Sequence, residues 1–166
     1  MSGVPRMNEH ESAAWLSLIS VLELLPATLD AQLQKDAALT HFEYVLLSML
    51  QRAPEHVMRM KALAAATNAT LPRLSHVVSR LESRGLVERV PCEEDRRATN
   101  ARLTADGRRA VIRATPEHIA TVRRLVIDAL SPEQLDQLTA IGDAILPALD
   151  PERRIQRLFG GEGDAE

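Results

Sequence analysis

At 166 residues, the chain has room for about one domain and enough length to bury a core without disulfides or metals. Aromatic residues are scarce (one Trp, one Tyr, two Phe), so the core must come from Leu, Val, Ile and Ala, which suits packed helices better than a sheet sandwich; the single cysteine, Cys92, excludes an internal disulfide. Net charge is −3, but ten Arg against six acidic residues between Leu71 and Arg113 make a local +4 on a remainder of −7, as expected of a protein that offers one face to phosphates.

No uninterrupted apolar run approaches the roughly 20 residues that cross a bilayer. Met1–Glu11 lacks the charged-then-apolar order of a signal segment. The chain is therefore read as cytoplasmic, with no membrane partner.

The first expected element is a helix over 12–36, dense in Trp15, Leu16, Leu18, Ile19, Val21, Leu22, Leu24, Leu25 and Leu29. That is too continuous for one buried stripe and points to burial on more than one side, as at a subunit interface. Pro26 is expected to kink it. A second helix follows over Thr40–Gln51, with Phe42, Val45, Leu46, Met49 and Leu50 at helical spacing, and Ala53-Pro54 stops it. Met60–Thr67 is a short Ala-rich helix. After the turn at Asn68-Ala69, Thr70 is placed to cap the next helix, with Pro72 in its first turn and Gly85 as its stop.

Two strands, Leu86–Pro91 and Ala98–Leu103, flank a charged hairpin tip. Thr104 caps a long helix to about Leu130, bent at Thr115-Pro116. Ser131-Pro132-Glu133 starts a last helix, whose end Pro147 and Pro151 interrupt. Gly160–Glu166 reads as a loose acidic tail. The fold class is thus mainly α with a small β-hairpin wing. One domain over 1–166 is expected, with dimerisation helices at 12–36 and 104–159, a winged helix-turn-helix lobe at 40–103 and a flexible tail at 160–166.

The order helix, turn, helix, hairpin from Met60 to Leu103 is the strongest functional signal. On the helix from Thr70, Leu74, Val77, Val78 and Leu81 fall on one side, and Pro72, Ser75, His76 and Ser79 on the other, flanked by Arg73 and Arg80. Small hydroxyls and a His can hydrogen-bond base edges, and Arg can reach guanine or phosphate. An ordinary amphipathic surface helix has the same stripe; the short helix and turn before it favour DNA. At the hairpin tip, Asp95 is spaced to orient Arg97 beside Arg96, and an extended Arg there suits the minor groove.

These residues resemble the MarR (multiple antibiotic resistance regulator) family. The likeness runs through Leu63-Ala64, Thr70–Glu82, Gly85-Leu86-Val87-Glu88-Arg89, Asp95-Arg96-Arg97 and Leu103-Thr104-Ala105-Asp106-Gly107-Arg108. It extends to Leu39-Thr40, Glu43-Tyr44-Val45-Leu46 and His118, covering roughly 12–150. The resemblance implies a homodimer whose first and last helices interlace, a recognition helix at Thr70–Arg84 and a wing at Val87–Leu103. It assigns Asp95 and Arg97 to the wing's Asp-x-Arg motif. It also implies palindromic operators in double-stranded DNA, and a sequence-specific regulator, read as a repressor modulated by a small-molecule effector. The expected DNA-binding set is Thr70, Pro72, Arg73, Ser75, His76, Ser79, Arg80, Arg84, Asp95, Arg96 and Arg97. His76 departs from the family, standing where Arg or Asn is frequent.

Other residues carry two readings. Trp15, His41 and Tyr44 suit an effector pocket or simple core packing, and the sequence does not separate them. Cys92, next to Glu93 and Glu94, has its thiolate disfavoured by like charge, against a redox role. The five histidines lack metal-site spacing, so no metal and no cofactor is expected. No Gly-rich phosphate loop or nucleophile elbow occurs, so no enzyme is expected. A rival reading, a winged-helix factor without operator specificity, sits poorly with Arg73, Arg80, Asp95 and Arg97.

Overall fold

The computed structural model describes residues 6–92 and 98–152. Six helices and a three-stranded sheet follow in the order α1 (Glu9–Ala37), α2 (His41–Arg52), β1 (Val57–Arg59), α3 (Met60–Ala66), α4 (Leu71–Ser83), β2 (Val87–Pro91), β3 (Thr99–Leu103), α5 (Ala105–Leu125) and α6 (Pro132–Leu149). The expected wing-tip residues Asp95, Arg96 and Arg97 lie outside the described residues, as does the expected tail at 160–166.

Local chemistry sets most boundaries. The side chains of Asn8, Thr40, Thr70, Thr104 and Ser131 each accept a backbone N–H in the first turn of a helix. In α1, α2 and α6 the third helical residue returns the bond, completing a capping box. α4 ends in a paired closure: the N–H of Gly85 donates to Glu82 and that of Leu86 to Leu81. Gly85 takes φ +71° there, a value that requires glycine's freedom.

The interruption expected at Pro147 does not occur. α1 continues through Pro26, α5 through Pro116 and α6 through Pro147. Each removes one backbone donor. Behind Pro26, the carbonyl it cannot reach belongs to exposed Leu22, where water can satisfy it.

The sheet also differs from a plain hairpin. β1, a strand the sequence reading missed, pairs antiparallel with β3 (Val57 opposite Arg102, Arg59 opposite Asn100), and β3 pairs with β2 (Val87 opposite Leu103, Pro91 opposite Thr99). The order β1-β3-β2 roots the wing beside the start of α3.

One core joins these parts. Leu46, Leu47 and Leu50 of α2, Leu63 of α3, Leu74, Val78 and Leu81 of α4, Val87 of β2 and Ala101 of β3 are buried together. Each large aliphatic side chain contributes roughly 1.5–3 kcal/mol by leaving water. The turn between α3 and α4 and the wing are thereby held on a single body. α1 and α6 behave otherwise. α1 buries only Leu29 and Leu33, and α6 buries none of its residues. Among the described helices, α1 is long and apolar enough to cross a membrane by length and composition. The expectation that nothing reaches that length holds only for uninterrupted runs.

The joint of α4, wing and α5 is tight. The Thr104 hydroxyl donates to the Gly85 carbonyl at 2.7 Å and accepts from the Gly107 N–H at 3.0 Å. A Cβ at Gly107 would meet the Leu86 carbonyl oxygen at 2.1 Å and Leu103 Cδ1 at 2.6 Å. Gly107→Ala is therefore expected to destabilise by at least the ~1–3 kcal/mol of ordinary overpacking, because backbone must move. Urea unfolding measures it, and a change within about 0.5 kcal/mol of wild type would contradict this packing.

Candidate nucleic-acid interface

α4 folds with the face expected for DNA turned to solvent. Leu74, Val77, Val78 and Leu81 are buried, and Thr70, Pro72, Arg73, His76, Ser79, Arg80 and Arg84 are exposed, with Ser75 half-buried. Periodicity alone produces this split. The structure therefore gathers every described member of the expected DNA-binding set along one helix.

The side chains on that face have different commitments. His76 is exposed, with no hydrogen-bond partner among the described residues. The Arg73 guanidinium lies over the Phe42 ring, 4.7 Å from its centroid. Arg80 and Arg84 turn toward α2. Arg80 donates to Glu43, and Nη1 of Arg84 lies 3.6 Å from the same carboxylate while its Nη2 donates to the Ala38 carbonyl at 2.9 Å. Glu43 is 2% exposed. Burial pushes its carboxyl upward, but the Thr40 N–H, the Arg80 hydrogen bond and the charges of Arg80 and Arg84 outweigh that and hold it below the ordinary glutamate range.

Arg89 of β2 was quoted only as part of a motif, yet it organises the wing side of this face. It pairs with Glu82, donates to the Ser75 carbonyl at 2.9 Å and reaches the hydroxyls of Ser75 at 3.3 Å and Ser79 at 2.9 Å. Ser79 in turn donates to the Ser75 carbonyl at 3.0 Å. The Ser79 hydroxyl is thus engaged from both sides, while Ser75 keeps its own proton available. Beside Arg89, a groove of about 540 Å³ is lined by Arg59, Lys61, Leu71, Ser75 and Thr99. Arg102, across the sheet, is held by Glu88 at 2.7 Å.

Of the three residues suggested for an effector pocket, two come together. Tyr44 of α2 packs its ring 4.5 Å from that of His118 on α5, and its hydroxyl lies 3.1 Å from the Thr115 hydroxyl. The His41 ring is 5.7 Å from His118, and its backbone N–H donates to Asp30 of α1 at 2.8 Å. Trp15 is fifteen residues up α1 from Asp30, about 22 Å along the axis, and is 48% exposed. It does not join the cluster. His118 of α5 is the ring the other two share. Cys92 is buried.

A MarR family model matches residues 39–98. The chain is 38% identical to Sco3205 of Streptomyces coelicolor, a MarR family transcriptional regulator solved in complex with DNA; the likeness covers 91% of this chain and 94% of that one, with a TM-score of 0.86. It is 37% identical to AbsC, a MarR family transcriptional regulator of the same organism, over 90% of this chain and 99% of that one, with a TM-score of 0.82. CouR of Rhodococcus jostii RHA1, solved bound to p-coumaroyl-CoA, shares the fold at 21% identity and a TM-score of 0.71, over 88% of this chain and 97% of that one.

The histidine pair makes stability depend on pH. Burial lowers the pKa of both rings; the His41 charge lowers His118 further, while Asp30 partly offsets the effect at His41. The unfolded chain then binds more protons just below pH 6.5, so this contribution is fully present above about 6.5 and is lost as pH falls through the folded-state values. The free energy of unfolding should climb as pH rises toward about 6.5, and His118→Asn should flatten the climb. A wild-type profile that rises on acidification would contradict the neutral pair.

Proposed function

Because the chain belongs to the MarR family of winged helix-turn-helix DNA-binding transcription regulators, we propose that it binds a palindromic operator as a homodimer and acts as an effector-modulated repressor. The observation that carries the DNA contact is the solvent face of α4. It is a rigidly packed helix whose Arg73, Ser75 and His76 have donors and charge to offer the major groove, in a chain 38% identical to a regulator solved with DNA. Thr70 and Pro72 open that helix toward the phosphates. Arg96 and Arg97, with Asp95 orienting Arg97, are assigned to the minor groove by their motif.

The homodimer is supported by the apolar surface of α1 and α6. Leu16, Val21, Leu22, Leu24, Leu138, Ile141 and Leu149 are all about half exposed or more, far more apolar surface than an isolated subunit ordinarily presents. Between α1 and the α5–α6 turn, an open cavity of about 470 Å³ is lined by Val21, Leu24, Leu25, Leu125, Leu130 and Leu138. A second copy of the chain is the occupant that fits, since the family resemblance interlaces these same helices. An operator-binding protein with this arrangement works in the cytoplasm. The effector reading centres on Tyr44, His41 and His118, where α2 of the DNA-binding part meets α5. A ligand there would alter DNA binding only by contacting two spacings of α2 and α5 differently.

Two measurements check these readings. Sedimentation at micromolar concentration should give a dimer; a stable folded monomer would contradict the assembly. Selection of sequences from a random pool should separate helix from wing. His76→Ala is expected to change the recovered motif, at about 1–3 kcal/mol per lost base contact. Arg97→Ala should weaken binding across sequences, with bias only in A·T-rich flanks, and Asp95→Ala should do the same more mildly. An identical shift from His76→Ala and Arg97→Ala would contradict this division.

A further inference from the structure

We propose that Glu43 is a positioning residue for DNA recognition: it holds Arg80 and Arg84 of α4, takes their charge out of the sequence-independent attraction to phosphates, and ties the recognition helix to the α1–α2 joint. This rests on the DNA-binding reading above.

Glu43 lies in α2, 37 residues before Arg80. Its side chain is almost wholly buried, and its Oε2 accepts the Thr40 N–H at 2.8 Å, closing the capping box of α2. The remaining lone pairs face Arg80 and Arg84. Arg84 also donates to the carbonyl of Ala38, the residue that ends α1. The C-terminal half of the recognition helix is therefore bonded to both helices that meet at that joint.

The consequence is electrostatic. α4 and its cap carry three arginines, Arg73, Arg80 and Arg84. A guanidinium that left Glu43 for a phosphate would strand a buried carboxylate, and an unpaired buried charge is among the costliest arrangements in a folded protein. A phosphate at the solvated groove edge offers a screened attraction in return. The pair therefore holds, and Arg73, stacked on Phe42, is the arginine of α4 without an acidic partner among the described residues. Sequence-independent attraction scales with the phosphates neutralised, so withdrawing two cations per protomer lowers it while leaving the reading face of Ser75 and His76 intact. Glu43 acts through the arginines and touches no base.

The test compares Glu43→Gln with wild type on a mixed-sequence duplex across a salt series, with folding checked by circular dichroism. The glutamine keeps the shape and loses the charge. The slope of log affinity against log salt is expected to steepen by about 2 per dimer, one added phosphate for each freed Arg80 at about 0.9 apiece, because Arg84 stays held by the Ala38 carbonyl. Adding Arg80→Gln to Glu43→Gln should return the slope to the wild-type value. A folded Glu43→Gln with the wild-type slope would overturn the proposal. Should Glu43→Gln fail to fold, Arg80→Gln alone still decides: the full flattening of about 2 expected of two free arginines overturns the proposal, and a clearly smaller one supports it. Failure of the wild type to bind any duplex would instead remove the DNA-binding reading itself.

Discussion

The structure turns on two helices whose apolar surfaces a single chain leaves uncovered. α6 runs eighteen residues without burying one, and α1 buries two leucines out of twenty-nine residues. Each of Leu16, Val21, Leu22, Leu138 and Ile141 would contribute up to roughly 1.5–3 kcal/mol if removed from water, which makes a second copy the natural partner of this surface. The proposed two-fold assembly would fix the separation of the two recognition helices. α1 feeds directly into the joint at Ala38 to which α4 is bonded, so the spacing of the dimer helices and the placement of α4 are mechanically one problem.

The second organising feature is that the basic zone is held rather than diffuse. A charge count treats its ten arginines as equivalent. In the fold Arg80 and Arg84 serve Glu43, Arg89 serves Glu82 and the two serines, and Arg102 serves Glu88, while Arg73 lies over Phe42. Arg89 matters beyond its charge. By bonding across to Ser75 and Ser79 it ties β2, at the root of the wing, to the solvent-facing side of α4.

Much of this was legible in the sequence because its causes are local. Thr70, Thr104 and Ser131 announce helix starts through cap chemistry, and Leu74, Val77, Val78 and Leu81 announce the buried face of α4 through their spacing. What escaped depends on distant partners. Val57–Arg59 is too short to show alternation, and it is a strand only because β3 lies beside it. Glu43 entered only as part of a family-like stretch, and nothing within a few positions revealed Arg80, 37 residues on, or Arg84 beyond it. Trp15 was grouped with His41 and Tyr44 by residue type, and the geometry of a long helix separates them. Pro147 was overweighted because one lost backbone bond on an exposed turn does not end a helix whose other bonds persist.

In the proposed function, two copies of α4, set apart by a two-fold dimer, read one operator. Hydroxyl-radical footprinting of the wild-type protein on a duplex it has selected from random sequence tests this most directly. Two symmetric protections are expected, their centres one helical turn (~34–36 Å) or a multiple of it apart. A single protected half-site, or protection smeared along the duplex without a centre of symmetry, would contradict it.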